Sequence, residues 1–538
     1  HITLCPGKTL PMFRIRHLTI FSTILFSGFS TLDADVQLAG IFTDHMVLQR
    51  QAKVPVWGTA GDGEKVTVTI GDQTQTTTAQ QGRWRVHLKP MQAGGPHKLT
   101  VSGTNTLTIQ DILVGEVWLC SGQSNMAMTV ARAKDFAAEQ KAASHPQLRM
   151  YTVTKNATPK LQTDCKGTWQ VCQTETVGSF SASAYFFGRK LQQELNVPVG
   201  LINSSWGGTD VAAWTALPAQ HAVAAIVPKL DAYNKTIASY DATATAARNE
   251  KALERWKAAA AKARADGEKI PRRPRLQVDP AVNQNRPANL YNGMIHPLIG
   301  YGIRGAIWYQ GERNSKTIPD GQLYASQLKT MITDWRERWG IGDFHFITVQ
   351  LPNFKARQKE PIQNTGWVAV RESELKSLRL PNTGIAITTD VGEANDIHPK
   401  DKQTVGLRLA LWALGTTYGQ EIVHSGPLFS SLQLKAARKT AKGTLRPGTL
   451  TLYFEHVGDA LKTSDGKKLR GFAIAGEDKV FHHAFAVINE DGTVTVMNKS
   501  VEKPVAVRYN WADNPDGNLV NSVDLPAAPF RTDGWKLE

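Results

Sequence analysis

The fold of this chain is decided by the stretch Gly115-Glu-Val-Trp-Leu-Cys-Ser-Gly-Gln-Ser-Asn-Met126. Its apolar, β-prone run from Val117 to Cys120 stops at Ser-Gly, which is the pattern of a buried strand that ends in a tight turn. Such a turn would present the hydroxyl of Ser124 to a ligand, so we interpret Ser124 as a candidate nucleophile. The segment departs from Gly-x-Ser-x-Gly, because Met126 stands at the final glycine position. A serine hydrolase fold other than the α/β-hydrolase fold is therefore indicated.

Beyond this stretch, residues 114–428 alternate between strand and helix patterns. Further apolar runs are typical of strands covered on both faces, and they lie at Val199–Asn203, Ala306–Tyr309, Phe344–Val349 and Ile385–Thr388. Helical patterns lie at Ala184–Asn196, Leu323–Trp339, Val368–Leu378 and Thr404–Tyr418. This order predicts a three-layer α/β/α domain with a parallel sheet and with active-site loops at the carboxyl ends of its strands. The alanine-rich, charged segment at about 221–284 predicts a helical insertion.

The flanking regions have a β pattern instead. Residues 35–113 contain short alternating runs divided by glycine turns, and residues 429–538 return to the same rhythm. Each region predicts a β-sandwich or β-rich domain. The aromatic residues of the first could bind sugar, but such side chains more often belong to the core.

Residues 1–34 have the features of an export signal. A basic segment with Arg14 and Arg16 precedes an apolar run of roughly a dozen residues from Leu18 to Phe29, which is in the range of a secretory signal. We therefore expect an exported protein, periplasmic or secreted, that has no membrane contact after the signal is removed. An uncleaved anchor is the alternative.

The chain carries a formal net charge of +15, with 41% hydrophobic and 20% charged residues. This composition is that of a folded globular protein rather than a disordered one. Its basic residues are scattered and no nucleic-acid-binding motif accompanies them, so we do not expect nucleic acid as a partner.

The cysteines give a prediction about cross-links. In an exported protein, the closely spaced Cys165 and Cys172 predict a disulfide, whereas Cys120 should be a buried free thiol. No Cys-x-x-Cys or His-Glu-x-x-His pattern is found in the sequence, so we expect neither a metal site nor a cofactor.

Polar segments at the ends of the predicted strands should converge on Ser124. His398, in Asp396-Ile-His-Pro399, is the candidate base that takes the serine proton. The N–H groups of Ser124 and Gly208 and the amide of Gln310 are candidate donors to an oxyanion. Asp396 is the preferred acceptor for Nδ1 of His398, and Glu312 is the alternative because its side chain has the longer reach.

The same segments supply candidate contacts to a substrate. We expect these from polar or aromatic side chains beside the predicted nucleophile, namely Gln123, Asn125, Trp206, Tyr309 and Asn314.

Together these motifs resemble a known family. The blocks Gly-Gln-Ser-Asn at 122–125, Trp-Gly-Gly-Thr at 206–209, Trp-Tyr-Gln-Gly-Glu at 308–312 and Asp-Ile-His-Pro at 396–399 are similar to those of SGNH-type carbohydrate O-acetylesterases of the sialate O-acetylesterase group. The resemblance implies a serine esterase that removes O-acetyl groups from carbohydrates through an acyl-enzyme, without metal or cofactor. Relatives in this group act on sialic acids or on plant polysaccharides such as xyloglucan and xylan. One difference is Asn395, where many SGNH enzymes have the acid three residues before the histidine.

Two other functions remain as alternatives. One is an esterase for another acyl substrate, and the other is a carbohydrate-binding protein without catalysis. The presence of both Ser124 and His398 favours an enzyme, because a binding module needs no nucleophile and base. The glycan and the oligomeric state stay open at this point.

Overall fold

The computed structural model describes residues 35–439, 441–442 and 445–538. The predicted export signal at residues 1–34 lies outside this part. Within the described part, no helix combines the length and the apolar character that crossing a membrane requires.

The N-terminal part is built from mostly antiparallel strands that share one core. They are β1 (Gln37–Leu38), β2 (Val47–Gln49), β3 (Val54–Thr59), β4 (Lys65–Ile70), β5 (Gln73–Thr78), β6 (Arg83–Leu88), β7 (Gly94–Ser102) and β8 (Thr106–Gly122). One sheet has the order β1-β3-β6, and in the other β4 pairs with β5 and β7, and β7 pairs with β8. Alternate residues of β4 and β6 are buried, as expected of strands with one face on a core.

The strand β8 continues beyond the N-terminal part into the middle of the chain. Its first half alternates between exposed and half-buried residues, and from Ile112 to Gly122 every residue is buried. The expected domain boundary between residues 113 and 114 falls inside this strand. The N-terminal strands and the central sheet are therefore joined by continuous backbone pairing.

The central part is an α/β unit with a mostly parallel sheet, as predicted. Its elements are α1 (Ser124–Ala127), α2 (Phe136–Ala142), β9 (Ser144–Thr152), β10 (Trp169–Gln173), α3 (Ala182–Leu195), β11 (Val199–Ser205), α4 (Leu217–His221), α5 (Val227–Ala238), α6 (Ala242–Ala265), β12 (Gly305–Tyr309), α7 (Ile318–Trp339), β13 (His345–Val349), α8 (Gly366–Leu375), β14 (Thr383–Ala386) and α9 (Lys402–Trp412). The strand order is β10-β9-β11-β8-β12-β13-β14. All neighbours pair in parallel except the edge strand β10, which is antiparallel to β9.

Separate cores lie on the two faces of this sheet. Val117 and Leu119 of β8 belong to the core that also holds the buried residues of α7. Trp118 and Cys120 belong to the opposite core, with the buried residues of α3 and α9. Because successive side chains of a strand point to opposite faces, a strand covered on both faces must be apolar throughout.

Two helices lie within the range predicted for the insertion. They are α5 and α6, and α6 begins after Asp241, whose side chain accepts a hydrogen bond from the N–H of Ala244 at 2.9 Å. Such an N-cap satisfies one of the free N–H groups of the first turn. Few residues of α6 are buried, so this helix lies on the surface.

The C-terminal part contains antiparallel sheets around a third core. Its strands are β15 (Leu428–Lys435), β16 (Arg438–Lys439), β17 (Leu445–Arg446), β18 (Thr449–Glu455), β19 (Leu461–Thr463), β20 (Phe472–Ala475), β21 (His482–His483), β22 (Phe485–Ile488), β23 (Val494–Met497), β24 (Ala506–Tyr509), β25 (Leu519–Asn521) and β26 (Phe530–Arg531). The larger sheets have the orders β15-β18-β23-β22 and β21-β20-β24-β26.

The predicted disulfide between Cys165 and Cys172 is wrong. Both residues, like Cys120, are buried free thiols. Sγ of Cys165 lies 3.5 Å from the hydroxyl of Tyr151, in the same core as Trp169, whereas Cys172 lies in the core on the other face of the sheet. Cys172 is a residue of β10 whose side chain enters a different core from that of Cys165, and nearness in sequence did not reveal which core each side chain enters.

A buried ion pair attaches the C-terminal tail to β24 and to the central unit. The guanidinium of Arg508 donates to both carboxylate oxygens of Asp533 at 2.8 and 2.9 Å, and both side chains are at most 2% exposed. It also donates to Oδ1 of Asn364, just before α8, at 2.9 Å.

We expect Arg508→Met to lower the free energy of unfolding by about 3–5 kcal/mol, because the change leaves the carboxylate of Asp533 buried without its main partner. The matched control is Arg357→Met, which removes an ion pair with Asp516 whose side chains are 55% and 46% exposed and should cost less than about 1 kcal/mol. Urea denaturation of the three proteins measures both effects. Equal losses in the two variants would contradict this assignment.

Candidate active site

The turn after β8 depends on a close approach between two backbones. Gly122 has φ of +143°, and a Cβ atom on it would overlap the carbonyl oxygen of Tyr309 on the neighbouring strand. The next N–H, that of Gln123, donates to the same carbonyl at 2.9 Å. A side chain at residue 122 would push the strands apart, so glycine is required here. Ser124 follows as the first residue of α1, half-buried.

The end of β11 lies directly beside this serine. The N–H of Trp206 donates to the carbonyl of Gly122 at 3.1 Å, and a Cβ atom on Gly207 would lie 3.2 Å from Cβ of Ser124. The glycine packed against Ser124 is therefore Gly207, whereas the predicted Gly208 is exposed and in the left-handed region with φ of +71°. The Gly-Gly pair in the sequence marked the turn but not which of its members faces the serine.

His398 and Asp396 lie together in the loop between β14 and α9. Oδ1 of Asp396 accepts a hydrogen bond from the backbone N–H of His398 at 2.9 Å and lies 3.4 Å from Nδ1 of its imidazole. An aspartate that caps the backbone two residues on forms a tight turn, and this turn brings the two side chains closer than the roughly 6.5 Å expected in an extended strand. The side chain of His398 is 27% exposed, so a substrate can reach it.

The alternative acid, Glu312, has a different partner. It lies in a short 3₁₀ helix after β12, and its Oε1 accepts a hydrogen bond from Nδ2 of Asn125 at 2.6 Å. The same Nδ2 donates to the carbonyl of Ile397 at 3.0 Å, and Oδ1 of Asn125 accepts from Nζ of Lys402 at 2.7 Å. Glu312 is therefore bonded to the residue that follows the predicted nucleophile, whereas the carboxylate that the described residues place against His398 is that of Asp396.

Gln310, a predicted oxyanion donor, is fully buried. Its Nε2 lies within hydrogen-bond distance of Oε1 of Gln123 at 3.1 Å, the carbonyl of Thr209 at 2.9 Å and Oδ1 of Asn314 at 2.8 Å. With its two protons directed at these acceptors, the amide joins the turns after β8, β11 and β12 and is not available to a substrate.

The predicted substrate contacts divide by exposure. Trp206 is half-buried, and Nζ of Lys155 lies 5.5 Å from the centre of its ring. The others are at most 3% exposed, namely Gln123, Asn125, Tyr309 and Asn314. The expected contact of a sugar with Tyr309 is therefore not available in this structure, because that side chain has no exposed surface; inside the protein its ring faces the ammonium group of Lys402 at 5.1 Å.

The electrostatic surroundings favour a neutral imidazole. Burial lowers the pKa of His398, the carboxylate of Asp396 opposes this effect, and the charges of Arg132 and Lys402 add to the lowering. A histidine with a lowered pKa is unprotonated at neutral pH, which is the state that can accept a proton.

The buried groups below Ser124 are perturbed more strongly. Burial lowers the pKa of Lys402 to about 7, with the carboxylate of Glu312 opposing the change. Burial also raises the pKa of Glu312, against the hydrogen bond from Asn125. In the part of the chain described here, no cluster of three or more His, Cys, Asp or Glu side chains could hold a metal ion.

Comparison with known proteins identifies the class. Residues 114–253 and 281–414 match the family described as carbohydrate esterase, sialic acid-specific acetylesterase. These ranges contain Ser124, Trp206, Glu312 and His398, and the chain is an ester hydrolase. It belongs to the sialic acid-specific acetylesterase family of carbohydrate esterases, and the resemblance noted in the sequence is confirmed.

Individual relatives agree with this assignment. The chain is 31% identical to the sialate O-acetylesterase of Rattus norvegicus over 441 residues, which cover 74% of this chain and 77% of that protein. It is 29% identical to the sialate O-acetylesterase of Pongo abelii, with 92% of each chain covered. The crystal structure of a carbohydrate acetylesterase from Xanthomonas citri superimposes with a TM-score of 0.76 at 34% identity, covering 93% of this chain and 100% of that one.

Proposed function

We propose that this esterase removes O-acetyl groups from carbohydrates, with Ser124 as the nucleophile and His398 as the general base. The observation that carries the proposal is the meeting of three strand ends. Gly207 packs so closely against Ser124 that a Cβ atom added to this glycine would lie 3.2 Å from Cβ of the serine. Asn125, the residue after Ser124, donates a hydrogen bond from its side chain to the carbonyl of Ile397, the residue before His398, at 3.0 Å.

In the first step, Nε2 of His398 accepts the hydroxyl proton of Ser124 while Oγ attacks the carbonyl carbon of the acetyl group. The tetrahedral intermediate then loses the sugar oxygen, which takes the proton from His398, and an acetyl-serine remains. In the second step, water gives a proton to His398 and attacks the acetyl group; the tetrahedral intermediate then releases acetate, and His398 returns the proton to Oγ of Ser124, which restores the serine and the neutral imidazole. The serine, the imidazole and backbone amides supply the whole chemistry, so no metal or cofactor is required.

The negative oxygen of the intermediate needs N–H donors. Ser124 is the first residue of a helix, where backbone N–H groups have no acceptor within the helix. We assign the oxyanion hole to the N–H groups of Ser124 and Gly207. Gln310 has the supporting role described above and holds the turns that carry these donors.

Trp206 is the aromatic side chain available to a sugar beside Ser124. Carbohydrate rings stack on aromatic faces, and a half-buried indole offers such a face at little entropic cost. The relatives named above include sialate O-acetylesterases and a carbohydrate acetylesterase. We propose O-acetyl sialic acid as one candidate substrate of this chain, and acetylated hemicelluloses such as xyloglucan and xylan, which the resemblance in the sequence implies, as the others.

We further propose that the catalytic unit has an SGNH-type arrangement with a β-sandwich domain on either side. We also propose that the protein acts outside the cytoplasm. Helices on both faces of the parallel sheet and antiparallel sheets before and after it support the first point. The basic and apolar segments of residues 1–34 support the second.

We expect Ser124→Ala to abolish acetate release while the unfolding temperature stays near that of the wild type, because a half-buried turn hydroxyl contributes little packing. The measurement is acetate release from acetylated xyloglucan, acetylated xylan, O-acetyl sialic acid and an aryl acetate, for both proteins. The wild type should cleave at least one of the glycans. Release by the variant at more than a few per cent of the wild-type rate would refute the role of Ser124, and cleavage of the aryl acetate alone would refute the carbohydrate assignment.

The acid that orients His398 can be tested separately. Because Asp396 lies beside Nδ1 and Glu312 does not, we expect Asp396→Asn to lower kcat by about a hundredfold or more. Glu312→Gln keeps an oxygen that accepts the bond from Asn125 and should hold kcat within about tenfold. Steady-state kinetics on an aryl acetate, with both unfolding temperatures as controls, give the comparison. The reverse order of the two effects would assign the role to Glu312.

A further inference from the structure

A fully buried lysine lies below the nucleophile turn. Lys402 is the first residue of α9 and has no exposed surface. Its Nζ donates to Oδ1 of Asn125 at 2.7 Å and faces the ring of Tyr309 at 5.1 Å. Removing an ammonium group from water is costly unless the protein provides compensating contacts. A lysine that is buried in spite of this desolvation cost, beside the predicted nucleophile, is a candidate for a role in catalysis.

The contact with Lys402 determines which way the amide of Asn125 points. A charged lysine ammonium group can only donate hydrogen bonds, so the atom of Asn125 that accepts from it at 2.7 Å is the oxygen. The amino group of Asn125 is then directed to the other side, where it meets the Oε1 of Glu312 at 2.6 Å and the carbonyl of Ile397 at 3.0 Å. Both of these partners are acceptors. With the amide turned round, its oxygen would face them and repel them.

The orientation of the Asn125 amide matters for the active site because Asn125 and its partner Ile397 are neighbours in sequence of Ser124 and His398. Asn125 directly follows Ser124, and Ile397 directly precedes His398. The amide therefore joins the backbone at the nucleophile to the backbone at the base. This hydrogen bond thus lies one residue from the nucleophile at one end and one residue from the base at the other.

We propose that Lys402 is a positioning residue for the reaction: by fixing the amide of Asn125, it holds Ser124 and His398 at the separation that proton transfer needs. This inference rests on the roles proposed above for Ser124 and His398. Lys402 itself is buried and touches no substrate. Its loss should therefore act on the chemical step and leave substrate binding unchanged.

The direct test is Lys402→Met, which keeps the length and apolar stem of the side chain but removes the donor. We expect kcat on an aryl acetate to fall about tenfold to a hundredfold, since small misplacements of reacting groups have effects of this size, with KM changed less than about twofold. The matched control is Lys400→Met, which removes an exposed lysine two residues earlier in the chain and should keep the wild-type kcat and KM.

A second readout separates positioning from loss of folded protein. Labelling of Ser124 by a fluorophosphonate should reach the same final stoichiometry in wild type and Lys402→Met, but at a rate lowered in the same proportion as kcat. A wild-type labelling rate in Lys402→Met overturns the proposal. So does a fall in kcat that merely follows a lower final stoichiometry.

If Lys402→Met does not fold, Lys402→Met combined with Glu312→Gln removes the buried charges together and is compared with Glu312→Gln alone. A further tenfold or larger loss of kcat in the double variant supports the proposal, and equal kcat values overturn it.

Labelling of Ser124→Ala distinguishes failure of the proposed role of Ser124 from failure of the inference on Lys402. If that variant is labelled like the wild type, the proposed role of Ser124 fails and this inference with it. If it is not labelled and Lys402→Met reacts normally, only the inference on Lys402 fails.

Discussion

The active site depends on the register of β8 with its two parallel neighbours. Gly122 pairs with Ser205 of β11 on one side and with Tyr309 of β12 on the other. The strands therefore end at the same level, and the residues that follow them (Ser124, Trp206 and Gln310) meet at one edge of the sheet. After β8 the chain first adds β9, β10 and β11 on one side of it and then β12, β13 and β14 on the other side. The strand order thus reverses at β8, and α/β proteins bind ligands at such a switch point. A slip of one residue would turn every side chain of β8 to the wrong core.

Below this edge the site has a layer of buried polar groups. Ser124, His398 and Trp206 can be reached by a substrate, whereas Asn125, Gln310, Glu312 and Lys402 lie beneath them and bond to one another or to the turns above. Groups fixed in this way need not reorganise during the reaction, which is the condition for electrostatic stabilisation of a transition state. Hydrogen bonds from these side chains join four segments from distant parts of the sequence, namely the turns after β8, β11 and β12 and the loop of His398.

Much of the architecture could be predicted because its signals are local. The apolar runs ending at Cys120, Asn203 and Tyr309 predict strands buried on both faces, and the structure places strands there. The sequence did not predict the direction in which individual side chains point. Tyr309 follows the strand pattern into the core, although an aromatic residue next to a nucleophile suggested a sugar contact. The sequence spacing of Cys165 and Cys172 suggested a bridge, but their side chains lie in different cores.

The role that we propose for Lys402 had no local signal, because a lysine at the start of a helix is usually exposed. It becomes apparent only when its partner Asn125, 277 positions away, is brought beside it by the sheet. The nearness of Asp396 to Nδ1 of His398 likewise depends on a tight turn at Asp396 that the sequence permits but does not impose. Long-range contacts of this kind decide the site, and local patterns decide the elements that carry it.

The central claim is that hydrolysis proceeds through an acetyl group on Ser124. The most direct measurement is mass spectrometry of protein quenched with acid during the first turnover of an aryl acetate. We expect the mass of one acetyl group on the peptide that contains Ser124. An acetyl group on a different residue, or turnover during which no acetylated protein forms, would contradict the account.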